Sequence, residues 1–167
     1  MIADYLRTLI DYHEWATQRL LGACMEVSEG DYRRDLGLHC HGIHGTLNHL
    51  LQTEELWLSR YLGKPAPDSA TETDVYRESI SGRDTLAAAL REQCRQWRQA
   101  VSTLDDTSAT ERLSLEGGIG ILELSRVELL FQVISYAIQL RGQLIYALTS
   151  LGNPDPGIDF LTYSSSP

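Results

Sequence analysis

Apolar residues recur at spacings of three and four through four stretches of the chain, and each stretch reads as one amphipathic helix. Over residues 2–25 the stripe is Tyr5, Leu6, Leu9, Ile10, Ala16, Leu20 and Cys24, with His13 lying on it. Over residues 45–62 it is Leu47, Leu50, Leu51, Leu56, Trp57, Leu58 and Tyr61, and Gly63 followed by Pro65 stops it. A third helix follows Ser79-Ile80-Ser81, read as its cap, and carries Leu86, Leu90, Cys94, Trp97, Val101 and Leu104. The fourth, residues 119–151, is apolar on most sides. It ends at Leu151-Gly152-Asn153-Pro154, with glycine where a left-handed cap fits and proline beyond.

The connections differ in kind. Residues 28–43 are long and polar, with room for a short helical turn, and residues 65–73 form a loop of proline, alanine and acidic residues. Arg112-Leu113-Ser114-Leu115 alternates and then meets Gly117-Gly118, which predicts a small hairpin before the last helix. The expected fold is all-α: an up-down four-helix bundle with long crossing connections. One domain over residues 1–163 and a frayed tail over 164–167 complete the reading. The fourth helix should lie deepest or contribute to a subunit interface.

Charge and length bound the function. At 167 residues the chain suits one domain with a sizeable core. A net charge of -9 opposes a phosphate backbone, so nucleic-acid binding is not expected. Asp4 and Asp11 interrupt the first apolar stretch, so no secretory signal is read there. Glu123, Arg126, Glu128 and Arg141 interrupt the last one and argue against a membrane span. Three cysteines, Cys24, Cys40 and Cys94, show no metal or redox spacing, and reduced thiols in a cytoplasmic protein are the simplest expectation.

Chemistry could enter through the five histidines, His13, His39, His41, His44 and His49, all in the first third of the chain. Catalytic zinc needs three protein ligands and an open position, and helical ligand pairs sit at i and i+4. No such histidine pair exists: His44 and His49 are five apart and diverge by about 140° on a helix. A local alternative is His39, His41 and His44, where an extended segment and a turn would bring three nitrogens to one face.

Gly45-Thr46-Leu47-Asn48-His49-Leu50-Leu51, followed by Trp57, Arg60 and Gly63, resembles the second-helix signature of the DinB/YfiT-like metalloenzyme family. Tyr12-His13-Glu14-Trp15-Ala16 resembles that family's first-helix stretch. Arg141-Gly142-Gln143, with Leu151-Gly152 and the segment from Pro154 to Tyr163, resembles its closing segment. The resemblance implies a four-helix bundle, often dimeric, with zinc or nickel held by three histidines. It places the first of them at His49 and the other two at Tyr136 and Leu140. Leucine cannot donate to a metal, and a phenol, neutral at pH 7, is a poor substitute for imidazole.

The expected consequence is a degenerate metal site with no resident cofactor. A hydrogen bond between Tyr136 and His49 would take the vacated position, and Leu140 would fill the remaining volume. Glu54, where the family usually has an acidic residue, is expected to pair with Arg141, because an unpaired buried guanidinium is too costly. His13 is expected either to line the cleft with these residues or to be a satisfied core histidine. The function then expected is a non-catalytic or altered ligand-binding protein, homodimeric, with a small-molecule ligand. The alternative is a divalent-metal-dependent hydrolase or thiol S-transferase that combines His49 with His13 or His44.

Overall fold

A computed structural model of the chain describes residues 1–67, 77–117 and 120–165. The protein is mostly helical with one small sheet, in the order α1 (Ile2–Glu26), α2 (Glu29–Tyr32), α3 (Ile43–Tyr61), α4 (Arg83–Val101), α5 (Asp106–Thr110), β1 (Arg112–Gly117), β2 (Gly120–Ser125), α6 (Arg126–Ser150) and α7 (Phe160–Ser164). Of the four long helices, α1 packs on α4 and α6, and α3 packs on the same two. No helix is long and apolar enough to cross a membrane, among the described residues.

Apart from Tyr5, which is exposed, the stripes read from the sequence point inward, and most of their residues form two apolar clusters. One gathers Leu20, Leu21 and Cys24 of α1, Leu47, Leu50 and Leu51 of α3, Leu86 and Leu90 of α4, and Leu140, Leu144 and Leu148 of α6. The other gathers Leu6 and Ile10, Leu58 and Tyr61, Trp97 and Val101, and Leu129, Leu130, Val133 and Ile134. On α1, α3 and α4 the side chains between the two clusters are polar or ionisable and buried: His13, Thr17, Glu54 and Cys94. A polar layer thus separates the two clusters.

Helix ends follow local chemistry. After α3, Gly63 takes φ +64° and Lys64 N–H closes on Ser59 O. After α6, Gly152 takes φ +84° and Asn153 N–H closes on Leu148 O. Both are left-handed terminations that favour glycine. Ser28 caps α2, the short turn expected between residues 28 and 43.

Three expectations need correction. The last helix starts at Arg126, not at residue 119, because Gly120–Ser125 is a strand paired antiparallel with β1, Leu115 opposite Leu122 and Leu113 opposite Leu124. The hairpin reading therefore extends into residues first assigned to the helix; its turn residue Gly118 lies outside the described residues. Ser125 ends the strand and caps α6 in a reciprocal box with Glu128, which sets the boundary. The cap of α4 is Gly82, not the Ser79-Ile80-Ser81 segment. Ser79 and Ile80 instead donate their backbone N–H groups to Asn48 Oδ1, which ties this segment to α3. At the C-terminus, Ser164 closes α7 rather than opening a tail, and residues 166–167 lie outside the described residues. Most of the acidic loop, residues 68–73, also lies outside them.

Candidate functional site

Two places gather the chemistry-bearing side chains. The first is the position that the sequence resemblance marks. His49 is on α3 and Tyr136 on α6, both half-buried, and His49 Nε2 shares a hydrogen bond of 2.8 Å with the Tyr136 hydroxyl. The rings meet edge to face with centroids 5.9 Å apart. Leu140, one turn along α6, is 2% exposed and belongs to the apolar core. Leu140 offers no donor, and His49 Nε2 is engaged with Tyr136.

The second place is the buried polar layer. His13 is fully buried on α1, Arg141 is 1% exposed on α6, and Glu54 is 2% exposed on α3. The expected direct pair of Glu54 with Arg141 is replaced by a three-member arrangement with His13 between them. Arg141 Nη1 donates to His13 Nδ1 at 3.0 Å, and Glu54 Oε1 lies 3.1 Å from His13 Nε2. A guanidinium has only donors, so Nδ1 must accept and the ring proton sits on Nε2, facing the carboxylate. Opposite charges thus meet through one imidazole. Sequence spacing could not show this, because three helices supply the three groups.

The Glu54 contact has the distance of a hydrogen bond but not its alignment. His13 Nε2 and both Glu54 oxygens lack a well-directed hydrogen bond, as does Arg141 Nη2. Arg141 has two further neighbours: Thr17 Oγ1 at 3.4 Å and the Tyr12 ring at 5.7 Å. Burial lowers the Arg141 pKa from its ordinary value, an effect that the nearby Tyr12 and Glu54 counter.

Cys94 of α4 completes the layer and was not among the site residues read from the sequence. Its thiol is held well above the ordinary range by burial and then by the charge of Glu54. Donor atoms of His13, Glu54 and Cys94 lie within 4.8 Å of one another, a group that could hold a metal ion. The missed signal was modest. Cys94 lies on the inward stripe of its helix, but nothing in the sequence aligns it with His13 and Glu54.

The local alternative disperses. His41 faces Asp35 at 3.3 Å and is exposed. His44 is buried, with Nε2 at 3.2 Å from both Glu78 Oε1 and Asn48 Nδ2. His39 is exposed, its ring 6.1 Å from that of His49. Neither His13 nor His44 joins His49 in a group of three His, Cys, Asp or Glu donors, among the described residues.

No curated protein matches the sequence. The sequence profile of the DinB family matches residues 1–167, the whole chain. The match spans both places described above. The chain belongs to the DinB family.

Proposed function

We propose that this protein is a four-helix DinB bundle whose inherited metal position has become a closed polar contact, and that it acts as a homodimeric binding protein without metal-dependent catalysis at His49. The observation that supports this reading is the 2.8 Å hydrogen bond between His49 Nε2 and the Tyr136 hydroxyl, beside a buried Leu140. Together these remove two nitrogen donors and engage the third. A position without three donors to hold an ion would supply no Lewis acid to lower the pKa of a water or a thiol cosubstrate. What remains is a half-buried imidazole and phenol, which suit hydrogen bonding to a small polar ligand.

Self-association has its own support. Beyond Glu128 the exposed side of α6 consists of Phe131, Ser135, Ile138, Gln139, Gly142, Tyr146, Thr149 and Ser150, without a charge. The eight lie within residues 131–150, about 30 Å of helix. Two chains of net charge -9 repel in general, and a charge-free face with large apolar groups is where they can meet at least cost.

A second reading, a metal-dependent hydrolase or thiol transferase built on His49 with unusual ligands, draws on the His39 ring 6.1 Å from His49. Nickel or zinc titration separates the two readings. The first expects no metal binding that is lost in His49→Ala, and expects the double substitution Tyr136→His with Leu140→His to create a site of one ion per chain that requires His49. Stoichiometric, His49-dependent binding by the unaltered protein overturns it.

A further inference from the structure

We propose that His13, Glu54 and Cys94 form a fold-locking site for a borderline transition metal such as Zn²⁺ or Co²⁺, separate from the His49 position. Three observations carry it. The donor atoms converge from three different helices to within 4.8 Å. All three side chains are sealed, His13 and Cys94 at 0% exposure and Glu54 at 2%. Among the described residues, His13 Nε2 and both Glu54 oxygens, the atoms that would bind the ion, have no well-directed hydrogen bond. Buried polar groups are almost always satisfied, so a carboxylate and a ring nitrogen that meet at 3.1 Å without hydrogen-bond alignment mark a place with a ligand to receive.

The donor set selects the ion. One sulfur, one nitrogen and carboxylate oxygen suit zinc or cobalt and not magnesium or calcium, which take all-oxygen shells. Bonds of about 2.0–2.3 Å in a tetrahedron put donors about 3.5 Å apart, so small side-chain rotations close the present spacing. The two oxygens of one carboxylate are too close together to take two corners of that tetrahedron, so Glu54 binds through one of them and a water molecule supplies the fourth bond. With no exposed edge the site has no room for a substrate, so its role is to pin α1, α3 and α4 together.

Arg141 sets the strength. Before binding, the layer holds one cation, one carboxylate, a thiol and a neutral imidazole, with zero net charge. The ion displaces the Cys94 proton to solvent, and the His13 proton moves from Nε2 to Nδ1. Arg141 Nη1 must then give up Nδ1 and keep its bond to Thr17 Oγ1, now 3.4 Å long. The layer ends at one positive charge, so Arg141 weakens binding and its removal should strengthen it.

The test is Co²⁺ titration of the native protein, and of protein refolded with the ion because the ligands are sealed. We expect one ion per chain with a thiolate-to-cobalt charge-transfer band and tetrahedral visible bands. Cys94→Ser should lose the charge-transfer band while keeping its far-UV spectrum. Arg141→Met should bind at least tenfold more tightly, and His49→Ala should bind as the unaltered chain does. Saturation should raise Tm by roughly 5–10 °C at a hundredfold excess over Kd. Absence of the band in both the unaltered protein and Arg141→Met overturns the proposal. So does a band that survives Cys94→Ser. Loss of binding in His49→Ala would instead return the ion to the family position and count against the function proposed above.

Discussion

His13 is the residue on which the interior turns. Its stripe position made it a core histidine, and its two nitrogens let it stand between a buried cation and a buried anion that never touch directly. Residue-scale readings succeeded where chemistry is intrinsic to the side chain. Leu140 cannot donate wherever it lies, and a guanidinium in the core must find compensation. They failed where the partner is chosen by packing, as with Arg141 and Glu54. A second residue-scale constraint was not read at all. Gly42 caps α3, and a Cβ there would sit 2.1 Å from the Arg34 carbonyl oxygen. That contact is backbone and cannot yield as a side chain would. Gly42→Ala should therefore cost about 1–3 kcal/mol, read as a lowered midpoint in urea unfolding with an unchanged slope.

Among the elements, the junction between β2 and α6 shows how local signals compete. The apolar run from residue 119 onward suits either a buried helix or a strand, and its hydrophobicity cannot choose between them. The Ser125–Glu128 box chooses, since it satisfies the first free N–H groups of α6 reciprocally. The Ser125 backbone N–H, and then its hydroxyl, hold the Glu128 carboxyl below its ordinary 4.5. A depressed carboxyl adds stability that is complete above the unfolded pKa and fades as pH falls through the folded one. The Tm gap between the unaltered protein and Glu128→Ala should thus be constant from neutral pH down to about 5 and narrow below about 4.5. A gap that widens on acidification would show that the box does not involve the ionised carboxylate.

For the molecule as a whole, the expectation that the last helix would be deepest or lie at an interface divides between its two sides. One side of α6 lies in both apolar clusters, while Phe131 is 72% exposed, Ile138 49% and Tyr146 62%. If that charge-free side joins two copies, Phe131→Glu with Ile138→Glu should convert the dimer to a monomer in sedimentation velocity without loss of helicity. A monomer in the unaltered chain at high micromolar concentration would remove the dimer from the proposed function. Those substitutions lie on the outer face and leave the buried layer intact, so the two proposals can be tested in one protein.

The sequence alone determined the helices, their terminal glycines and the family. Each is written in spacing or in the chemistry of a single residue. Only the tertiary structure decided that Tyr136 meets His49, that His13 stands between Arg141 and Glu54, and that Cys94 joins them. Those contacts join α1, α3, α4 and α6 across separations of 40 residues or more. The periodicity of one helix fixes which side faces inward, but not which residue of a neighbouring helix stands at the same height.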